Sequence, residues 1–255
     1  MEYDPSMFQH GVKPSSQFDN PTDPLNYALA RLNEERDVTL RLTPHIDTLN
    51  DVILRLIKDR SQSISSAVVE LGTGTGATTA SILQRSPDTQ LVCVDFNTSR
   101  LERAAVRLAS HLGQITFEVS DAVNYLRTIK DDSVACIVTA SMLHNLPLQY
   151  RRIILSEVHR VLSPGGMFVD ADKHGYRDPH IDEELFRQQI ALIAQNFMDK
   201  PEYSRDWVAH FTEDYDKDEK REDYLGYLED MGFEAQSVFG FGLDIVVSAQ
   251  KIKTK

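Results

Sequence analysis

The chain has 255 residues, 41% of them hydrophobic, enough to bury a sizeable core in one large domain or two small ones. With 27 basic and 39 acidic residues the net charge is -12, so no basic face is evident; a nucleic-acid partner is not expected and a small-molecule substrate is. The start Met1-Glu2-Tyr3-Asp4-Pro5 is unlike a secretory leader and no apolar run nears membrane-spanning length. Cys93 and Cys136 sit in apolar runs as core residues, so a cytoplasmic, membrane-free protein is expected.

Residues 1–23 are rich in Pro, Ser, Asp and Asn and read as an arm. Pro24–Leu32 opens a first helix, and 1–40 is taken as an N-terminal arm and helix ahead of a domain over 41–255. In Ile46–Ile57, Ile46, Leu49, Ile53, Leu54 and Ile57 share one helical face. Strands and helices then alternate. Ala67–Leu71, Gln90–Phe96, Ile115–Val119, Val134–Thr139 and Met167–Ala171 read as strands. Ala77–Arg85, Thr98–Leu112, Val123–Ile129 and Leu148–Leu162 read as helices, with Ser99–Glu102 in the form of a capping box and Ser163-Pro164-Gly165-Gly166 as a stop.

Ile181–Met198 is helical in pattern, Glu202–Asp216 is mixed, and Asp216–Asp223 is a charge run expected on a solvated helix face. Phe233–Phe239 and Leu243–Gln250 make two last strands around Gly240-Phe241-Gly242. The pattern predicts an α/β domain, doubly wound, with a mostly parallel seven-stranded sheet. It has N-terminal helices and a helical insertion at about 175–230 after strand five. Ligands of such sheets sit beyond the carboxyl ends of the strands. Glu70, Asp95, Asp121, Thr139 and Asp170 all lie there.

The chemistry centres on Glu70-Leu71-Gly72-Thr73-Gly74-Thr75-Gly76, a strand, a glycine turn and a helix start. Glycines let a ligand approach the backbone, and the helix start offers N–H groups. Gly72-x-Gly74-x-x-Ala77 with Asp95 also fits the dinucleotide fingerprint, so a nicotinamide oxidoreductase is one alternative. Against it stand Glu70 ahead of the turn, Gly76 as the third glycine, and the Pro164-Gly165-Gly166 turn before strand five.

These motifs, with Asp95, Ser120-Asp121-Ala122 and Met142-Leu143-His144-Asn145-Leu146, resemble the class I S-adenosylmethionine-dependent methyltransferases over roughly residues 44–250. The Thr43-Pro44 start, the long segment after strand five and Phe239-Gly240-Phe241-Gly242 are most similar to the branch of small methyltransferases and carboxy-S-adenosylmethionine synthases. His210–Asp218 lacks the arginine with which those synthases hold their extra carboxylate, which points to plain methyl transfer to a small molecule.

The resemblance implies a Rossmann-like methyltransferase fold and S-adenosyl-L-methionine as cofactor. Gly72, Thr73, Gly74 and Gly76 would pass under its methionine portion, with Glu70 orienting the ammonium. Asp95 would accept from the ribose hydroxyls and Phe96 pack on the adenine. Asp121 and the Ala122 N–H would bind adenine nitrogens, and the backbone of Thr139 and Ala140 would flank the methionine end. His144 is the candidate catalytic base. Asp170, Asp172 and His174 form a second group, His45, Tyr203 and Trp207 are candidate pocket residues, and no metal is implied. A homodimer is allowed, and a cofactor-binding member without turnover is the other alternative.

Overall fold

The computed structural model describes Thr43 and residues 45–61, 67–215 and 219–253. The arm and helix expected over 1–40 lie outside the described residues. The chain opens with α1 (Ile46–Ser61) and enters β1 (Val68–Leu71), α2 (Ala77–Arg85), β2 (Leu91–Asp95), α3 (Thr98–Arg107), β3 (Ile115–Val119), α4 (Ala122–Thr128) and β4 (Val134–Ala140). It continues through α5 (Leu148–Val161), β5 (Leu162–Lys173), α6 (Pro179–Asn196), α7 (Pro201–Tyr215), α8 (Arg221–Asp230), β6 (Phe233–Phe241) and β7 (Asp244–Lys251). Short 3₁₀ turns cover Ala109–Gln114 and Leu143–Asn145.

The seven strands lie in the order β3-β2-β1-β4-β5-β7-β6. The first five are mutually parallel; β7 runs antiparallel to both β5 and β6. The order reverses between β1 and β4, and that switch point is where such sheets take ligands. The central strands β1, β2, β4 and β5 are largely apolar on both faces because helices cover both. Val69, Leu71, Ile137 and Phe168 pack under α4, α5 and α8. Val68, Cys93, Cys136, Val138 and Val169 pack under α1, α2 and α3. Each such side chain removed from water contributes about 1.5–3 kcal/mol.

Two local readings are corrected. The cap of α3 is Asn97, not Ser99: its side chain accepts from Arg100 N–H at 3.0 Å. An asparagine before the first turn satisfies a donor that Ser99, already inside it, cannot reach. Ser163–Gly166 is a bulge inside β5 and not a stop before it. Val134 pairs with Leu162 and Cys136 with Met167, so three extra residues loop out on the β5 side. The stretch from Glu202, mixed in composition, lies in a helix, α7, as the helical insertion expected at about 175–230 requires, and Phe211 and Trp207 bury a face against Ile193 and Phe197 of α6.

The insertion after β5 is tied back to the sheet. Lys220 forms a bridge with Gly175, and its ammonium donates to Asp182 at 2.5 Å. Asp182 also accepts from Tyr176 N–H at 2.6 Å. In the charge run expected on a solvated face, Glu219 is buried and ion-paired with Arg152. Residues 216–218 lie outside the described residues. Among the described residues no helix is long and apolar enough to cross a membrane.

Gly76 caps α2 at φ 77°, and a Cβ there would meet Leu108 Cδ1 at 2.9 Å and Ala104 Cβ at 3.1 Å. Left-handed backbone and overpacking both penalise a side chain. Gly76→Ala is expected to lower stability in urea unfolding by about 2–4 kcal/mol. Gly113→Ala, with nothing within 4 Å, is expected to change it by less than about 0.5 kcal/mol.

Candidate active site

The turn after β1 is held from both sides. Gly72 N–H and Thr73 N–H donate to Val94 O at 2.8 and 3.1 Å, which docks the turn on β2. At the end of β2, Asp95 is buried and its carboxylate reaches back. Oδ2 accepts from Gly74 N–H at 2.8 Å and Oδ1 from Asn97 N–H at 2.9 Å. A carboxylate has about four acceptor positions, so Asp95 keeps two for a ligand. Phe96 follows it, half-buried.

Glycine is needed twice in this turn for different reasons. A Cβ on Gly72 would strike Met142 Cγ at 2.5 Å, so Met142, from the segment after β4, closes over the turn there. A Cβ on Gly74 would meet nothing nearer than Gly72 O at 4.0 Å. Among the described residues nothing covers Gly74, which lies beside Asp95 with acceptor capacity in hand. That combination fits an adenosyl cofactor with a ribose diol.

Glu70 is turned inward, onto the face under α2, and is 2% exposed. Its Oε2 accepts from the hydroxyl of Thr79, with Thr73 Oγ1 at 3.5 Å and Cys93 Sγ at 3.8 Å. It therefore supports the glycine turn from beneath, through Thr73 and Thr79. Burial pushes its carboxyl up to about 7, against the lowering effect of those donors. Burial, then the Glu70 charge, pushes the Cys93 thiol up as well, which makes it inert.

Asp121 caps α4: Oδ1 accepts from Val123 N–H at 2.9 Å and Asn124 N–H at 3.2 Å. Its Oδ2 accepts from the Tyr150 hydroxyl, a partner the sequence did not suggest, 29 residues further on. Ala122 is buried behind it. Ser120 N–H donates to Asp95 O at 3.1 Å, so the ends of β2 and β3 form one wall.

The ends of β4 and β5 form the other wall. Thr139 is fully buried and donates to Asp170 Oδ1 at 2.7 Å, and Ala140 pairs in register with Ala171. The next residue, Ser141, has φ 49°, and its N–H donates to Ala171 O at 2.8 Å. A non-glycine residue there carries strain of order 1 kcal/mol, of the kind that collects at functional sites. The chain then turns onto Asp172. Asp172 Oδ2 accepts from Met142 N–H at 3.2 Å and His144 N–H at 3.1 Å, while Oδ1 faces His144 Nδ1.

On the far side the buried Arg151 donates to His144 O and Leu146 O, each at 2.8 Å. His144 is 4% exposed and fixed by both. Burial would raise the Asp172 carboxyl, but His144, by charge and hydrogen bond, then His174 and Lys173, hold it well below the usual carboxylate range. His144 and the Asp172 group are thus one pair. Asp170 and His174 form another, at 3.6 Å, with the Tyr224 ring stacked on His174 at 4.5 Å.

Of the candidate pocket residues, His45 stands at the start of β7, on Asp244. Tyr203 stacks on Phe197 at 6.3 Å and belongs with Trp207 to the α6–α7 cluster. Among the described residues no group of three or more His, Cys, Asp or Glu is arranged to hold a metal ion.

A mostly parallel sheet in this order, a glycine turn at the switch point and carboxylates at the ends of β2 and β3 are the arrangement of the class I S-adenosylmethionine-dependent methyltransferases, which this chain resembles. Residues 68–166 match the family model described as a methyltransferase domain.

The chain is similar to the carboxy-S-adenosyl-L-methionine synthase of Pectobacterium atrosepticum, 24% identical over 221 residues that cover 84% of this chain and 87% of the relative. It resembles the protein of the same name from Klebsiella pneumoniae at 23% over 219 residues, again 84% and 87%. In fold it is similar to the CurJ carbon methyltransferase, with TM-score 0.59 and 16% identity over 97% of this chain and 69% of that one.

Glu70 yields a pH dependence. Its folded pKa, about 7, stands above the ordinary 4.5, so between these values the folded state holds a proton that the unfolded state lacks. Stability from this group is full below the lower value and is lost as pH rises through the upper one. Wild type is expected to lose on the order of 3 kcal/mol relative to Glu70→Gln between pH 4.5 and 7.5, read by urea unfolding across that range.

Proposed function

We propose that this domain transfers the methyl group of S-adenosylmethionine to a small-molecule acceptor that enters between the Gly74 turn and the end of β4. The single observation that supports it most is that Asp95, with spare acceptor positions, is latched to Gly74 N–H at 2.8 Å, where nothing among the described residues covers Gly74. Asp95 would take the ribose hydroxyls and Phe96 the adenine face. Asp121, already fixed as a cap and by Tyr150, would accept from the adenine amino group, with Ala122 N–H beside it. Gly72, Thr73 and Gly74 would line the methionine portion, and the backbone of Thr139 and Ala140 its end. Gly76 and Glu70 act from behind the turn, one through helix packing, the other through Thr73 and Thr79.

The bound cofactor supplies an electrophilic methyl on a sulfonium. The protein's part is to align the acceptor and to take its proton. His144 does the second. Asp172 on Nδ1 sets the tautomer and orientation, so that Nε2 is the nitrogen that exchanges a proton with the acceptor. Asp172 also holds the Met142 and His144 N–H groups, which makes it the positioning residue of the pair. With no arginine in 210–218, methyl transfer is favoured over the synthesis named for the relatives.

Thermal-shift titration is expected to show stabilisation by S-adenosylmethionine and S-adenosylhomocysteine and none by NAD; stabilisation by NAD alone would end this reading. In a metabolite extract the enzyme is expected to form S-adenosylhomocysteine. His144→Ala should slow that turnover about 10²–10⁴-fold without weakening S-adenosylhomocysteine binding. Asp172→Asn should also slow it and move its pH profile, and an unchanged rate in both variants would remove His144 as the base.

A further inference from the structure

A second polar group stands at the end of β5, on the opposite sheet face from His144 and Asp172. Side chains alternate along a strand, so Lys173 shares its face with Ala171, whose side packs toward α1. Ala171 is the register partner of Ala140, and Lys173 lies two residues on, roughly 7 Å further along the strand. Its ammonium stands on the β7 side of β5, at the same carboxyl edge of the sheet as the end of β4.

The state of that ammonium is unusual. The Lys173 side chain is 11% exposed. Its register partner on β7 is Asp244, yet Asp244 Oδ1 is 3.9 Å from Nζ, beyond hydrogen-bond reach. Asp244 Oδ2 is committed to His45 Nε2 at 3.1 Å. On another side Nζ lies 4.8 Å from the centre of the Phe211 ring, from α7. Among the described residues Nζ donates no hydrogen bond. One turn earlier on α7, the buried indole N–H of Trp207 has no acceptor there either.

An ammonium largely withdrawn from water, with no hydrogen-bond acceptor among the described residues, gains from a ligand that supplies one. Asp244 tempers the charge from 3.9 Å but accepts no hydrogen bond from it. A carboxylate is the group that would accept one, in a pocket walled by an aromatic ring. We propose that the methyl acceptor carries a carboxylate and that Lys173 binds it, with Phe211 packing on the acceptor's apolar part. This deepens the methyl-transfer reading and rests on it. Lys173 is thereby a specificity residue, and Asp244 keeps its ammonium in place.

The test uses the full chain saturated with S-adenosylhomocysteine, with benzoate and benzamide as probes in isothermal titration calorimetry. Benzoate is expected to bind wild type at least roughly tenfold tighter than benzamide, the size of one charge-assisted hydrogen bond. Lys173→Met should abolish that preference, Lys173→Arg should keep most of it, and both should bind S-adenosylhomocysteine as wild type does. Equal binding of the two probes by wild type, or a preference that survives in Lys173→Met, would overturn the proposal. So would weakened S-adenosylhomocysteine binding in both variants, since the carboxylate would then be the cofactor's own. Failure of wild type to bind S-adenosylhomocysteine would instead strike the methyl-transfer reading first.

Discussion

One interaction recurs along the carboxyl edge of this sheet: a strand-end or loop carboxylate accepting backbone N–H groups from the turns around it. Asp95 takes Gly74 and Asn97, Asp121 takes Val123 and Asn124, and Asp172 takes Met142, His144 and its neighbour Lys173. Hydrogen bonds to a charged acceptor are the stronger kind and cost most when one partner is lost from a buried place. They hold the turns at the switch point in one conformation. An acidic chain can thus present a rigid edge without a basic patch.

The rest of the site follows from that rigidity. With the segment after β4 drawn onto Asp172, Ser141 is held at positive φ and Met142 is laid over Gly72. Among the described residues the room left is above Gly74. His144 is carried by the same hydrogen bonds, so the candidate base and the glycine turn are positioned by one carboxylate each, on adjacent walls. Behind them Glu70, Thr73 and Thr79 make a buried support whose carboxyl is held near 7 by burial. The edge is stiff because carboxylates on both sheet faces hold the turns around them.

What was legible beforehand has a physical pattern. The glycine turn, the strand ends at Asp95 and Asp121, and the alternation that makes a parallel sheet are short-range signals, and the fold and its class follow from them. The pairing of His144 with Asp172 spans 28 residues and depends on β4–β5 register, which spacing does not reveal. The inward turn of Glu70 depends on Thr79 arriving from α2. The looped-out residues at Ser163–Gly166 read as a stop because a bulge and a turn use the same residues. Glu219 read as solvated because its buried partner, Arg152, lies 67 residues away.

The central claim is that Asp95, latched to the Gly74 turn, is the anchor of an adenosyl cofactor. Calorimetric titration of S-adenosylhomocysteine into wild type and Asp95→Ala tests it most directly. The account predicts one equivalent bound by wild type and a loss of affinity of at least roughly tenfold in the variant, as expected when a ligand's hydroxyls lose a charged acceptor. Equal affinity in the two proteins, with the variant folded, would contradict it.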